Sequence, residues 1–368
     1  MDKKNYSVAV VATMSAGKST LLNSILGSKI LPSKNEACTA KVYSIEDDDN
    51  AVEFMARKIE NGKAGKWQHA THQLLQNLNE SSADKIEICG NIKQIRNMNS
   101  GHAVLLYDTP GPNNSRDLSH SEITKQIIQN SIFCSLICVL NATQLGTYDE
   151  FELLTFIRKE IEKKDTTSDV LFILNKIDNF SFAGDDSIEE SLMVCKRHLR
   201  DSVGFSNITI LPVSSQLALL IRLLLASTTK MNSAEVLEFG GVKASPKMKY
   251  FKSIGVNRGR PAFRVKASPK MKYFKSSLSE EEQDELSLLL RKIFRHKRTF
   301  ESVLKFSPPM KRIFIRLKEK LKTARKENKK ILISNQFYSF EDLKYALLLS
   351  GVPIVEKYLE NKLKKATK

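Results

Sequence analysis

Residues 6–27, YSVAVVATMSAGKSTLLNSILG, decide the fold of this chain. Tyr6–Val11 is a short apolar run rich in valine, which is typical of a β-strand. Leu21–Leu26 has the apolar spacing of a helix, and Gly27 stands where a helix commonly ends. The sequence therefore predicts a strand, a loop and a helix in direct succession.

The loop between the strand and the helix, Ala12–Ser19, has the spacing of a phosphate-binding P-loop, with alanine in place of the usual first glycine. Its backbone N–H groups lie at a helix N-terminus, where they suit a polyphosphate. We expect Lys18 to place its charge on the β- and γ-phosphates and Ser19 to bind Mg²⁺ through its hydroxyl. Since alanine is strained at positive φ, the backbone at position 12 must be one that alanine tolerates.

Apolar runs without alternation recur along the chain, and each predicts a strand buried on both faces. They are Ala103–Tyr107, Ser135–Leu140, Val170–Leu174 and Ile208–Val213. Helical patterns lie between them, at Glu122–Asn130, Glu150–Lys163 and Ile188–Ser202. This alternation predicts an α/β fold of the P-loop NTPase class, with a mostly parallel sheet flanked by helices.

The residues after the Ala103–Tyr107 strand are Asp108-Thr109-Pro110-Gly111. An aspartate at the end of a buried strand beside a P-loop is expected to hold a water of Mg²⁺, and the N–H of Gly111 can meet the γ-phosphate. The same four residues are also good turn-formers, so an ordinary turn is the alternative.

The residues after the Val170–Leu174 strand are Asn175-Lys176-Ile177-Asp178. The carboxylate of Asp178 can accept hydrogen bonds from the N1 and N2 hydrogens of guanine, which adenine does not offer, and Lys176 can lie along the base. Each of these short motifs is weak alone. The P-loop and both later motifs, in this order and at strand ends, predict a G domain that binds GTP or GDP.

The net charge of the 368-residue chain, +17, is unevenly distributed. Residues 227–368 hold 34 Lys and Arg against 14 Asp and Glu, whereas residues 1–226 have a net charge of −3. Such a basic region attracts phosphate backbones, anionic lipids or acidic proteins, unless its charges only line solvated helix faces. The chain shows no signal-peptide pattern and its five cysteines are scattered, so we expect a reducing, cytoplasmic location.

The basic region contains a tandem duplication, because Val242–Ser253 recurs unchanged at Val265–Ser276. Lysines with interleaved Tyr and Phe suit phosphate contact and base stacking, although a lengthened surface loop is the simpler interpretation. Ser279 with Glu282 predicts a capped helix, and Ser307-Pro308 predicts the start of a second, at Met310–Lys330. This second helix is basic and amphipathic, so it either meets a membrane or partner or packs on a neighbouring domain.

Several stretches resemble the bacterial dynamin-like GTPases. They are S-A-G-K-S-T-L-L-N-S-I-L-G at residues 15–27, Leu31-Pro32, Ala37–Ala40, and Asn141–Thr147, which is similar to a clamp-binding subgroup of that family. Pro112 stands where Ras-like enzymes have a water-orienting glutamine, which dynamin-like proteins also lack. The resemblance covers residues 5–225 and resumes at Leu347–Glu356, the start of the closing helix of such G domains.

The resemblance implies a set of site residues. The nucleotide-binding residues would be Ala16, Gly17, Lys18, Ser19, Thr20, Asp108, Gly111, Asn175, Lys176, Asp178, Ser214 and Ser215, the last two from a fifth motif whose backbone faces the guanine carbonyl. The catalytic residues would be Ser15, Lys18 and Thr39. Thr39 would close on Mg²⁺ and the attacking water, and Ser15 would stabilise the transition-state charge. The metal site would comprise Ser19, Thr39 and Asp108, with K⁺ or Na⁺ as a second cofactor.

The sequence thus predicts a G domain at 1–225, a basic, mainly helical insertion at 226–335, and a closing G-domain helix with a basic tail at 336–368. The expected function is a dynamin-like GTPase that hydrolyses GTP to GDP and phosphate with Mg²⁺ and couples nucleotide state to homodimer assembly or partner binding. The alternative is a GTP-gated module whose basic region, 227–368, binds nucleic acid, the ribosome or another anionic partner.

Overall fold

The computed structural model describes residues 6–13, 15–32, 41–95, 103–110, 119–130, 133–163, 169–180, 187–230, 272–275, 278–324, 327 and 329–366. In chain order, the strands are β1 (Tyr6–Ala12), β2 (Val42–Asp47), β3 (Met55–Glu60), β4 (Lys63–Ala64), β5 (Gln68–His69), β6 (Lys85–Gly90), β7 (Val104–Asp108), β8 (Ser135–Asn141), β9 (Asp169–Asn175), β10 (Thr209–Val213), β11 (Lys272–Lys275), β12 (Lys329–Ile333) and β13 (Gln336–Ser339).

The α-helices are α1 (Lys18–Leu26), α2 (His72–Glu80), α3 (Ser119–Asn130), α4 (Tyr148–Lys163), α5 (Ile188–Arg197), α6 (Ser215–Lys230), α7 (Glu280–Arg295), α8 (Lys297–Val303), α9 (Pro308–Thr323), α10 (Phe340–Leu349) and α11 (Val352–Ala366). A 3₁₀ turn, Ile177–Asn179, follows β9, and a π-helical turn, His198–Val203, extends α5. None of the helices within the described residues is long and apolar enough to cross a membrane.

The large sheet has the order β10-β9-β8-β1-β7-β2-β6-β3-β4, and β5 pairs with β3. From β10 to β7 every neighbouring pair is parallel. These are the strands predicted from continuous apolar runs, and β8, buried at every position, shows why the runs do not alternate. The α/β prediction is confirmed.

Most of the other half of the sheet was not predicted. β2 pairs antiparallel with β7 and parallel with β6, while β3 pairs antiparallel with β4, β5 and β6. The sheet as a whole is therefore mixed. β6 buries every second residue, which is the pattern of a strand with one solvated face and could have been recognised from its sequence.

The helix after the P-loop packs against α6 and α11. It ends as predicted at Gly27, whose φ is 69° and whose N–H donates to the main-chain oxygen of Asn23. A buried ion pair joins α6 to α11, with Arg222 Nη2 2.7 Å from Glu356 Oε2, and Arg222 Nη1 also donates to the main-chain oxygen of Ser24 in α1. The three helices are thus fixed to one another by a single guanidinium.

The C-terminal helices adjoin a small sheet of order β11-β12-β13. The predicted capping box at the start of α7 is confirmed: the hydroxyl of Ser279 accepts from the N–H of Glu282, and the carboxylate of Glu282 accepts from the N–H of Ser279. β11 lies in the second copy of the duplicated segment, and the first copy lies outside the described residues. The boundary expected between residues 335 and 336 falls in the turn between β12 and β13.

The prediction of a helix from Met310 to Lys330 is wrong at its C-terminal end. α9 ends at Thr323, because Lys329–Ile333 leaves the helix to form β12 between β11 and β13. The apolar stripe of α9 faces the protein: Ile313 and Phe314 are buried, and α9 packs on α10 and α11. Ile315, by contrast, is 39% exposed.

Candidate functional site

The predicted P-loop joins the end of β1 to the start of α1. Ala12 is the last residue of β1 and pairs with Val139 of β8, so its backbone is extended and accommodates alanine where a glycine is usual. Ser15 and Gly17 have φ values of 58° and 86°, in the left-handed region. The N–H of Ala16 donates to the main-chain oxygen of Thr13 at 3.3 Å, which closes a tight turn.

Lys18 and Asp108 form a buried ion pair below the loop. Lys18 Nζ donates to Asp108 Oδ1, and the two side chains are almost completely buried. Asp108 Oδ2 has no hydrogen-bond partner among the residues that the structure describes. Burial raises the pKa of Asp108, and the neighbouring ammonium of Lys18 opposes that rise. The pair therefore compensates two buried charges and leaves one carboxylate oxygen as an acceptor.

Asn175 connects three separate motifs. Its Nδ2 donates to the main-chain oxygen of Ala16 in the P-loop at 2.8 Å. Its Oδ1 accepts from the hydroxyl and the N–H of Ser215, at 2.8 and 3.2 Å. A Cβ atom on Gly17 would overlap Asn175 Nδ2, so only glycine fits beside this amide. Asn175 thus holds the P-loop against the start of α6.

Asp178 lies in the 3₁₀ turn after β9, which the chain enters through Lys176 at a φ of 67°. The hydroxyl of Ser214 hydrogen-bonds to the carboxylate, and burial raises the pKa of Asp178. Asp178 Oδ1 is buried and has no hydrogen-bond partner within the described part of the chain. On the other side of the turn, Lys292 Nζ of α7 donates to the main-chain oxygen of Asp178. The turn thus presents a buried acceptor of the kind that a guanine N–H requires.

The segment corresponding to the fifth motif is covered by the turn between α10 and α11. The N–H of Ser214 donates to the main-chain oxygen of Ser350 at 2.8 Å, and the N–H of Ser215 is directed to Asn175. Gly351 follows with a φ of 81°, and a Cβ there would overlap the main-chain oxygen of Pro212. The N–H groups of Ser214 and Ser215, which were expected to face the base, therefore donate to acceptors within the protein. The contact between Ser214 and Ser350 was not predicted from the sequence.

Residues 8–177 match the model of the dynamin family, a family of GTP-hydrolysing P-loop enzymes. The match includes the P-loop, Asp108 and the Asn175–Ile177 turn. This segment is a dynamin-family GTPase domain. No curated protein sequence matches the chain.

Solved structures that align with this chain include two from an oligomerised bacterial dynamin pair that provides a mechanism for long-range sensing and tethering of membranes. They have 16% identity and TM-scores of 0.46 and 0.45, over 86% and 88% of this chain and 48% and 43% of theirs. Toc33 from Arabidopsis thaliana has 14% identity and a TM-score of 0.37, over 58% of this chain and 72% of its own. The chain spans about half the length of the bacterial dynamin chains.

The predicted site residues of the GTPase domain lie at one edge of the large sheet, since parallel strands end on the same side. Those with buried or partly buried side chains are Ala16, Gly17, Lys18, Ser19, Thr20, Asp108, Asn175, Lys176, Asp178, Ser214 and Ser215. Ser15 is exposed at the loop surface. Thr39 and Gly111 lie outside the described residues, so their roles stay predictions.

Within the described residues, the protein side of a Mg²⁺ site in the GTPase domain would consist of the Ser19 hydroxyl and Asp108 Oδ2. The unpaired oxygen of Asp108 fits this role, because Mg²⁺ prefers oxygen ligands and is commonly bound together with substrate phosphates. Among the described residues, no group of three or more His, Cys, Asp or Glu side chains could hold a metal ion. The residues present thus fit an ion that arrives with a nucleotide.

Proposed function

We propose that the chain binds GTP and GDP, hydrolyses GTP to GDP and phosphate with Mg²⁺, and couples its nucleotide state to pairing of two G domains. One observation carries the proposal. The carboxylates of Asp108, at the end of β7, and Asp178, in the turn after β9, lie at the same edge of the large sheet, and each keeps a buried oxygen without a partner in the described residues. Leaving a buried acceptor unpaired is costly, so a ligand donor or cation at either of these two oxygens would be favourable.

The P-loop residues would hold the phosphates. Backbone N–H groups at the start of α1 and the ammonium of Lys18 both favour a polyanion. When phosphate oxygens approach, Lys18 can divide its donors between them and Asp108, because an ammonium has three N–H bonds. Bound Mg²⁺ would neutralise charge on the β- and γ-phosphates, with Ser19, Asp108 and Thr39 as its protein contacts.

Hydrolysis in this chain would depend on a second G domain. The P-loop contains no arginine, and Pro112 rather than glutamine follows Gly111, so two groups that commonly accelerate GTP hydrolysis have no counterpart in these motifs. A homodimer that pairs across the nucleotide would order Thr39, exclude water and let Ser15, with a bound K⁺ or Na⁺, stabilise the developing charge.

The proposal is tested by specific activity over a hundredfold range of protein concentration, in K⁺ and in a bulky organic cation. Turnover per molecule should rise with concentration and should require the small cation. Thr39→Ala should retain GTP binding and lose about 10²–10³-fold in rate, the usual effect of removing one transition-state contact. Equal binding of ATP and GTP by the unmodified chain would exclude the guanine assignment, and a flat activity profile in both cations would exclude the paired site.

A second candidate, a GTP-gated module that binds a nucleic acid or ribosome, is favoured by the surface of α9. Its solvent face carries exposed basic side chains, at Lys311, Arg312, Arg316, Lys320 and Lys322. Such a face attracts polyanions of any kind, and the attraction weakens with salt. Filter binding with RNA and sedimentation with anionic vesicles, each with GDP and with a GTP analogue and at low and raised salt, would separate the two kinds of partner.

A further inference from the structure

The first helix of the C-terminal region, α7, contacts the GTPase domain at three places along its length, one of them at the expected nucleotide site. Its polar contacts are, in order, Glu282 with Lys29, Glu285 with Gln216 (3.0 Å), and Lys292 with the main-chain oxygen of Asp178. The apolar face of the helix, including Leu286, Leu290 and Ile293, is buried in the core. Burial of this apolar face fixes the position of α7. Its polar face contacts the residues after α1, the start of α6 and the 3₁₀ turn.

We infer that Lys292 is a positioning and specificity-determining residue for guanine, supplied from outside the segment that matches the dynamin family. The inference rests on the proposed function, in which Asp178 receives the base. Lys292 lies 114 residues from Asp178 in sequence, and no motif of the GTPase domain includes it.

The first effect of Lys292 is on the position of the main chain at Asp178. The 3₁₀ turn is one turn long and is closed by the Asn179 N–H on the main-chain oxygen of Lys176, at 3.0 Å. So short a turn contributes little stability of its own. A charged donor on the carbonyl of Asp178 restrains it, and hydrogen bonds to charged groups are among the stronger ones in proteins. The direction of the carboxylate therefore depends on α7.

The second effect of Lys292 is on the charge of Asp178. Guanine recognition requires the ionised carboxylate, with two acceptor oxygens. Burial favours the protonated form and raises the pKa of Asp178, while the cations that oppose this rise are Lys292 from α7 and Lys176 from the turn itself. Burial lowers the pKa of Lys292, and the charge of Asp178 opposes that fall. The two side chains thus favour each other's charged form.

The inference is tested on the full chain with the fluorescent nucleotide mant-GDP, whose Kd and dissociation rate are measured from pH 6 to pH 8. Lys292→Met should weaken binding about tenfold at pH 8, as expected for the loss of one charged hydrogen bond. The loss should grow as the pH falls, because Asp178 takes up a proton more readily without the nearby cation. Lys292→Arg should restore most of the affinity and the pH profile of the unmodified chain.

Arg295→Met is the matched control, since Arg295 is an exposed cation on the next turn of α7. It should bind mant-GDP like the unmodified chain. Lys292→Gln keeps a donor without the charge, so it must show the steeper pH dependence even if Lys292→Met does not fold. A chain that binds no mant-GDP contradicts the proposed function. Binding by the unmodified chain with identical profiles for Lys292→Gln and Arg295→Met overturns the role of Lys292 alone.

Discussion

The amide of Asn175 occupies the space that any side chain at position 17 would need. A Cβ atom on Gly17 would overlap Asn175 Nδ2, and the φ of Gly17, 86°, already disfavours other residues. Because the same amide holds Ala16 and Ser215, the P-loop and the segment after β10 meet at one side chain. The phosphate and base ends of the site are thus coupled through Asn175.

Gly17→Ala should therefore abolish nucleotide binding and lower the free energy of unfolding by about 1–3 kcal/mol, the range for a strained backbone position. Urea unfolding and mant-GDP titration measure the two effects. Gly62→Ala is the matched control, because Gly62 has a φ of 71° and a Cβ atom there would have no other atom within 4 Å. Equal losses of stability in both variants would show that the overlap with Asn175 has no energetic consequence.

Removal of Lys18 should affect stability as well as binding. Lys18→Met leaves the buried carboxylate of Asp108 without its ion-pair partner, and removing one member of a buried pair typically costs about 3–5 kcal/mol. The pKa of Asp108, already raised by burial, should rise further, so the loss should be largest at high pH, where the carboxylate must ionise. GTP binding should also be lost.

The double variant Lys18→Met/Asp108→Asn separates the two consequences. It should recover most of the stability at pH 8, because no buried charge remains, but it should not recover GTP binding. Lys58→Met provides the comparison with a partly exposed ion pair, between Lys58 and Glu60, whose loss should cost about 0–1 kcal/mol. A double variant no more stable than Lys18→Met would contradict the charge argument.

Parts of this site could be predicted from sequence for a simple reason. Lys18, Asp108 and Asn175 each stand next to a continuous apolar strand, and the ends of parallel strands share an edge. The antiparallel half was missed because short strands such as β6 carry a weaker, alternating signal.

The contacts from the C-terminal region could not be predicted in the same way. Lys292 and Ser350 reach Asp178 and Ser214 across more than a hundred residues, and no local pattern encodes such a contact. The end of α9 could not be predicted either. No glycine or proline follows Thr323 before β12, and the helix ends because the next residues pair as a strand. Tertiary contacts decided each of these features.

The base specificity should change with one atom of Asp178. Asp178→Asn replaces one acceptor oxygen by a donor, so it should weaken GDP and GTP binding and raise the relative affinity for xanthosine nucleotides, which offer a carbonyl where guanine has an amino group. Competition of GDP and XDP against mant-GDP measures the ratio. Asn179→Ala, at an exposed neighbouring position, should leave it unchanged. An unaltered ratio in Asp178→Asn would mean that another residue faces the base.

The junction between α6 and α11 should depend on a charge pair rather than on apolar contact alone. Arg222→Met leaves the buried carboxylate of Glu356 without its ion-pair partner, and burial already raises the pKa of Glu356. The substitution should lower the free energy of unfolding by about 3–5 kcal/mol. Arg222→Met/Glu356→Leu should recover much of this loss, since apolar residues can replace a buried pair. Arg158→Met, which removes a partly exposed pair with Glu162, is the comparison. Urea unfolding would detect the difference, and equal losses in Arg222→Met and Arg158→Met would contradict it.

Glu150, at the start of α4, should make a large contribution to the pH dependence of stability. Glu150 is buried, its Oε1 accepts from the Gly146 N–H at 3.3 Å, and its Oε2 and the facing His198 Nε2 have no hydrogen-bond partner among the described residues. Burial raises the pKa of Glu150 from its ordinary 4.5 to about 7, and burial lowers the pKa of His198. The contribution of Glu150 to stability is therefore fully present below pH 4.5 and lost as the pH rises through 7.

Glu150→Gln should consequently gain stability relative to the unmodified chain as the pH rises, by an amount on the order of 3 kcal/mol between pH 4.5 and pH 8.5. The glutamine keeps the shape and an acceptor for Gly146 but has no proton to lose. Urea unfolding at half-unit intervals measures the difference between the two curves, in which the titration of His198 largely cancels. Glu152→Gln, exposed on the same helix, should give a curve parallel to that of the unmodified chain. A Glu150→Gln curve that is also parallel would show that the pKa of Glu150 is not raised in the folded protein.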